Sequence, residues 1–229
     1  MKKNIWFRLS LILNAILIMA LIVVFYKVDA GNAELPKKKI HLKYEQRVSI
    51  FNDVPTKHAD VVFLGDSITE RSLWNEFFPH TFVVNRGIES DTTKGVLKRL
   101  NNVVKLQPKK LFLLIGVNDL NSGTKVNHVF KRYRNIVSTI QTDSPHTQIY
   151  LQSVLPVVEG ERPVQNKDID ALNREIQSLA DSKSVFYIDI NSKLKLNHTG
   201  LDPKYTNDGI HLLGNAYVVW ADTLREYVE

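Results

Sequence analysis

Cysteine is absent from the 229 residues. That absence removes disulfides, thiol nucleophiles, zinc–thiolate and iron–sulfur sites, and any cysteine-linked lipid anchor. An exported form of the chain must be stable without covalent cross-links. This fits a bacterial envelope better than a small eukaryotic secreted module. Glycine (10) and proline (8) are sparse, and no low-complexity tract or internal repeat is present. Wholesale disorder and collagen-like repeats are excluded. Surplus charge is small as well. Half of the formal +6 lies in the first thirty residues, where Lys2, Lys3, Arg8 and Lys27 face Asp29 alone. The remainder is a mixed-charge surface, which is no footprint for nucleic acid.

What the chain does have begins with residues 9–26, LSLILNAILIMALIVVFY, eighteen residues without charge. That length is at the short end for a bilayer-spanning helix. Lys2, Lys3 and Arg8 precede it, and the positive-inside rule keeps that end cytoplasmic. The rest of the chain is then expected outside the membrane. Val28-Asp29-Ala30 could serve as a signal-peptidase site, giving a secreted form cut near Ala30. The run is longer than a usual signal-peptide core, which favours an uncleaved anchor. The expected organisation is an anchor or signal segment over 1–30, a linker and short helix over 31–57, and one domain over 58–229. The polar stretch 31–40 reads as the linker. Tyr44, Val48 and Phe51 suggest the short helix, closed by Pro55.

Beyond residue 58, short apolar runs alternate with helical patterns. The expected strands are 61–64, 81–84, 111–115, 148–154 and 185–188. The expected helices lie near 91–106, 126–141, 167–182 and 213–228, with Asp91 as an N-cap and Asp168 near a helix start. Strands this apolar are buried on both faces, and the alternation predicts an α/β fold with a parallel sheet covered by helices. Sites on such sheets lie at the carboxyl ends of the strands.

The residues at those ends carry chemistry. Ser67 follows VVFLGD. Taken alone it reads as a helix cap; as a nucleophile it needs a base. His211 is the candidate base, because Asp208 stands three residues before it and can reach the imidazole if the loop turns back. A carboxylate there fixes the tautomer and stabilises the imidazolium. His41, His58, His80, His128, His146 and His198 have no such partner. An ester's developing oxyanion needs N–H donors. Candidates are the Ser67 and Gly87 backbone N–H groups and the Asn118 amide. Glycine at 87 would let backbone approach the substrate. Asp66, Glu70 and Asp119 read as loop hydrogen bonders and make no ligand cluster with a second histidine. No metal and no cofactor is expected.

These residues sit in four ordered blocks: GDSIT (65–69), NRGI (85–88), GVND (116–119) and DGIH (208–211). Together they resemble the SGNH (GDSL) hydrolase superfamily over about residues 58–229. FLGDSITE, QSVLP and YTNDGIHL further resemble its acetylhydrolase subgroup related to platelet-activating-factor acetylhydrolase. The resemblance implies a three-layer α/β/α sandwich with a flavodoxin-like parallel sheet. It implies a Ser67–His211–Asp208 triad and an oxyanion hole of Ser67, Gly87 and Asn118. Position 90, glycine in many relatives, is Ser90 here. The α/β-hydrolase elbow G-x-S-x-G is excluded, because Thr69 stands two residues after Ser67 and no other serine has that pattern.

The activity so implied is hydrolysis of small acyl esters, foremost acetyl, on glycans or related substrates outside the membrane. A lysophospholipase or short-chain lipid esterase is the alternative within enzymes. A non-catalytic surface binding module and an acyltransferase are the alternatives of other classes. Arg86, Gln152 and Ser153, at strand ends, are candidate substrate contacts by position. The oligomeric state stays open.

Overall fold

The structure is a computed structural model that describes residues 2–229, and the side chains of residues 11, 13–23 and 40–229. It divides into two compact units, Met1–Glu45 and Gln46–Glu229. One helix, α1 (Lys2–Asp53), forms the first unit, and its last residues belong to the second. The linker expected at 31–40 and the separate helix after it are thus one continuous helix. Ala, Glu, Leu and Lys flank Pro36, and extending a helix is cheaper than nucleating one. The side chains of 9, 10, 12 and 24–26 in the apolar run, and those of 28–30 at the expected cut, lie outside the described residues. Among the described residues no helix is long and apolar enough to cross a membrane.

The second unit begins at Gln46, and Phe51 is buried within it. Its elements follow in order: β1 (Val61–Gly65), α2 (Ser67–Glu70), α3 (Trp74–Phe77), β2 (Val83–Gly87), α4 (Thr93–Arg99), α5 (Asn101–Val104) and β3 (Lys110–Leu114). Then come α6 (Val117–Asn121), α7 (Val126–Asp143), β4 (Gln148–Gln152), α8 (Asn166–Gln177), β5 (Val185–Ile188) and α9 (Asn191–Leu194). A two-stranded ribbon, β6 (Lys195–Leu196) and β7 (Gly200–Leu201), and α10 (Gly214–Val228) complete it. The five long strands are all parallel, in the order β2-β1-β3-β4-β5. This is the flavodoxin-like doubly wound order.

Register explains the core. Phe63, Phe112, Tyr150 and Phe186 are paired across β1, β3, β4 and β5, so they form one row on one face. Their rings stack at centroid distances of 5.0, 4.7 and 5.1 Å, the spacing of neighbouring strands. Trp74 of α3 stacks on Phe63 at 4.0 Å, and Trp220 of α10 meets Trp74 edge-on at 4.9 Å. On the alternate face Leu64, Leu113 and Leu151 are fully buried. Helix α7 packs against both α4 and α8. Strand order reverses between β1 and β3, so the crevice for a ligand opens at their carboxyl ends. Ser67 follows β1 and Asn118 follows β3.

Asp91 does not cap α4. Thr92 does, accepting from the Gly95 N–H at 3.2 Å. The Asp91 carboxylate instead takes Arg99 Nε at 2.7 Å, a buried ion pair that outcompetes a single capping bond.

Candidate active site

Ser67 is the first residue of a four-residue helix, and its hydroxyl is not the cap. Asp66 caps α2 by accepting the Ile68 N–H at 3.0 Å. That frees the Ser67 side chain, which faces His211 with Oγ and Nε2 3.0 Å apart. His211 Nδ1 lies 2.6 Å from Asp208 Oδ2. Hydroxyl, imidazole and carboxylate are therefore in line.

The reach from Asp208 back to His211 comes from a side-chain turn rather than a helical one. Asp208 Oδ1 accepts the Ile210 and His211 N–H groups at 3.1 and 2.8 Å. Thr206 Oγ1 accepts the Asp208 and Gly209 N–H groups. Gly209 has φ +82°, the left-handed region that favours glycine. Partial burial opposes ionisation of Asp208. Hydrogen bonds from the His211 ring and from the His211 and Ile210 N–H groups outweigh it and hold the carboxyl well below its usual range. An ionised Asp208 accepts, so Nδ1 carries the imidazole proton and Nε2 is left to accept from Ser67 Oγ–H.

The donors expected for an oxyanion are placed as follows. The Ser67 N–H opens α2 and has no partner within that helix. The Asn118 amide spends one hydrogen on the Asp91 carbonyl at 2.9 Å and keeps the other. The Gly87 N–H donates to Asn85 Oδ1 at 2.8 Å, so any oxyanion must share it with that amide. Packing by itself requires glycine at 87: a Cβ would overlap the Glu70 backbone of α2. Ser90 keeps the backbone a glycine would adopt, with φ +62°.

Asp66 stands beside Ser67, fully buried, with Oδ2 unpartnered. Burial, reinforced by Asp91 and Asp119, pushes its pKa up to about 7 against the Ile68 hydrogen bond. Below about pH 7 this carboxyl is therefore mostly neutral and places no full negative charge beside Ser67. The raised value also sets a sign. Between about pH 4 and 7 the unfolded chain loses this proton while the folded chain keeps it. The group's contribution to stability therefore falls as pH rises through that window and levels off above about 7. Asp66→Asn removes the titration. The excess of wild-type over variant Tm is expected to shrink from about pH 4 to 7; a difference independent of pH would contradict the assignment.

The strand-end substrate contacts are corrected. Gln152 and Ser153 are fully buried and have no surface to offer a substrate. Gln152 Oε1 accepts the Trp220 indole N–H at 2.7 Å. Ser153 Oγ accepts the Ile190 and Asn191 N–H groups at 2.8 and 2.7 Å, capping α9. Arg86 lies beneath the surface against Phe51. Glu70 pairs with Arg47, and Asp119 accepts from Thr93 and Arg132.

Asn85, the first residue of the NRGI block, ties β2 to α2, donating to the Thr69 and Glu70 carbonyls at 3.0 and 3.1 Å. One contributor escapes sequence reasoning. Arg162, after β4, donates to the Asp208 carbonyl and holds its guanidinium 3.9 Å from Asp208 Oδ1. It stands in no spacing that marks it. Only the tertiary fold brings Arg162 to a residue 46 positions away.

A parallel sheet of this order, with serine, histidine and aspartate aligned at its carboxyl ends, marks the class as a carboxylic ester hydrolase. The chain belongs to the GDSL-like lipase/acylhydrolase family, whose profile matches residues 63–218. It is 28% identical over 182 residues to platelet-activating factor acetylhydrolase IB subunit alpha2 of Homo sapiens, covering 77% of this chain and 79% of that protein. A solved protein from Streptococcus pneumonia, provisionally described as a platelet activating factor, is 28% identical. It superposes with TM-score 0.81 over 87% of this chain and 99% of its own. The acetyl xylan esterase AlAXEase shares the fold, with TM-score 0.62 and 22% identity over 74% of this chain and 99% of its own.

Proposed function

We propose that the chain is a serine esterase that removes small acyl groups, foremost acetyl, from glycan or related esters outside the membrane. The carrying observation is the unbroken line Ser67 Oγ–His211 Nε2 (3.0 Å) and His211 Nδ1–Asp208 Oδ2 (2.6 Å). His211 takes the Ser67 proton as Oγ attacks the ester carbonyl. Asp208 holds the ring and stabilises the imidazolium. The Ser67 N–H and the Asn118 amide, with the Gly87 N–H shared from Asn85, receive the oxyanion. His211 then protonates the departing alcohol, activates water, and the acyl group leaves as its acid.

The acetyl preference draws support from the relatives, one named an acetylhydrolase and another an acetyl xylan esterase. The membrane location rests on the uncharged run 9–26 behind Lys2, Lys3 and Arg8. In this reading residues 1–30 are the anchor and the hydrolase domain spans 58–229. The acetylhydrolase relatives also favour a second substrate, platelet-activating factor itself. The test uses detergent-solubilised full chain on p-nitrophenyl esters from acetate to palmitate, then on acetylated xylan and on platelet-activating factor. Activity confined to short acyl chains and released acetate from xylan are expected. Activity that rises with chain length would overturn the acetyl reading.

Asn118→Ala tests the oxyanion role. Loss of one such donor lowers kcat by about 10²–10³. An unchanged kcat would remove Asn118 from the site.

A further inference from the structure

The carboxylate of the proposed triad has a second cationic neighbour. Besides His211, Arg162 is the one cation among the described residues within 4.0 Å of the Asp208 carboxylate. Its Nη2 donates to the Asp208 carbonyl and stands 3.9 Å from Oδ1 of the same residue. One guanidinium thus meets both the main chain and the side chain of Asp208. Packing holds it there: Nε is buried and the side chain is only 31% exposed.

The chain that carries Arg162 is fastened as well. The loop between β4 and α8 is pinned at Val157, whose N–H and carbonyl are taken by the Asn166 amide at 3.0 and 2.8 Å. The same amide donates to Glu159 Oε2 at 2.8 Å. The next residue, Val158, donates its N–H to the Gly209 carbonyl at 2.9 Å. The loop therefore grips the 206–211 turn at two successive residues, Asp208 and Gly209. Pro163 follows Arg162 and disfavours the helical region for it.

These contacts divide the two Asp208 oxygens. Oδ1 accepts the Ile210 and His211 N–H groups and faces Arg162. Oδ2 faces His211 Nδ1 at 2.6 Å. The Asp208 side chain is 39% exposed, and the terminal torsion of an aspartate is broad. A fixed positive charge on the Oδ1 side narrows that torsion by Coulombic attraction. The bond to the Asp208 carbonyl fixes the backbone beneath it. We infer that Arg162 is a positioning residue, which holds Asp208 in the one orientation that aims Oδ2 at the His211 ring. The inference rests on the esterase reading, in which that carboxylate orients the base. Arg162 acts through Asp208, because it meets the carboxylate at Oδ1 and the ring meets it at Oδ2.

The test is a double-mutant cycle on the detergent-solubilised full chain, read with p-nitrophenyl acetate. Arg162→Ala is expected to lower kcat by about 10–10²-fold and to leave KM within about twofold, the cost of slightly misplacing a catalytic group. In an Asp208→Asn background the same change is expected to cost less than about threefold, because the group it positions is already gone. A merely structural loss is the same in both backgrounds. Equal losses, or an unchanged kcat in Arg162→Ala, overturn the proposal. A second reading needs no turnover: the low-field proton resonance of His211 Nδ1–H, the signature of its bond to Asp208. It is expected in the wild-type chain and is expected to broaden by exchange with water in Arg162→Ala. Its absence from the wild type, or its persistence unaltered in the variant, overturns the positioning role. A wild-type chain inert on every ester refutes the esterase reading, and the resonance then decides the role of Arg162 alone. If Arg162→Ala fails to fold, Arg162→Gln, which removes the charge and keeps a donor, is measured in its place.

Discussion

Ser67→Ala is expected to leave a folded protein that no longer turns over p-nitrophenyl acetate, with kcat lowered by about 10⁴–10⁶. The loss is large because, in the proposed mechanism, the hydroxyl is the atom that forms the acyl bond. His211 cannot replace it, since its Nε2 is positioned to take a proton from Oγ, 3.0 Å away. The fold is spared because Asp66, not Ser67, caps α2. One hydrogen bond is lost, worth about 1 kcal/mol and roughly 2–4 °C in Tm. Circular dichroism and a melting curve beside the rate separate the two effects. A variant that keeps more than a tenth of the wild-type kcat would show that Ser67 is not the nucleophile.

Asp208→Asn is expected to lower kcat by about 10⁴, with KM little changed. The substituted side chain would still accept the Ile210 and His211 N–H groups through its one oxygen, so the turn survives. Its amide nitrogen, however, donates where the carboxylate accepted. Facing Nδ1, that donor favours the tautomer with the proton on Nε2, which can no longer receive one from Ser67. The wild-type carboxylate is held ionised far into acid. Its contribution to stability is present above the usual carboxylate range and is lost only as pH falls through the depressed value. The variant loses that dependence. A kcat within tenfold of wild type would mean that His211 is oriented by something other than Asp208.

Much of this is legible in the chain itself. β1, β3, β4 and β5 are apolar enough to bury both faces, and each starts within one residue of expectation. β2, expected at 81–84, runs Val83–Gly87, because Asn85 and Arg86 look like loop residues. Their polarity is satisfied or stacked by distant partners, the α2 carbonyls and Phe51. The short helices α2, α3, α6 and α9 span four or five residues, too few for a periodicity to show. Ser67, Asp208 and His211 stand in recognisable blocks. Gln152 and Ser153 mislead because position at a strand end does not say which partners a side chain will meet. Trp220 and α9 claim those two groups.

Ser67 and its proposed base also stand far apart in the chain. Ser67 and His211 are separated by 144 residues, the first just after the first strand of the sheet and the second in the last loop before α10. During synthesis at about 5–20 residues per second, the proposed nucleophile is made roughly 7–30 s before its proposed base. Until the sheet closes, a growing chain carries an inert alcohol and no hydrolase. Catalytic turnover is therefore a stringent gauge of completed folding: a C-terminal truncation that removes the last loop silences the enzyme even where the first strands have paired.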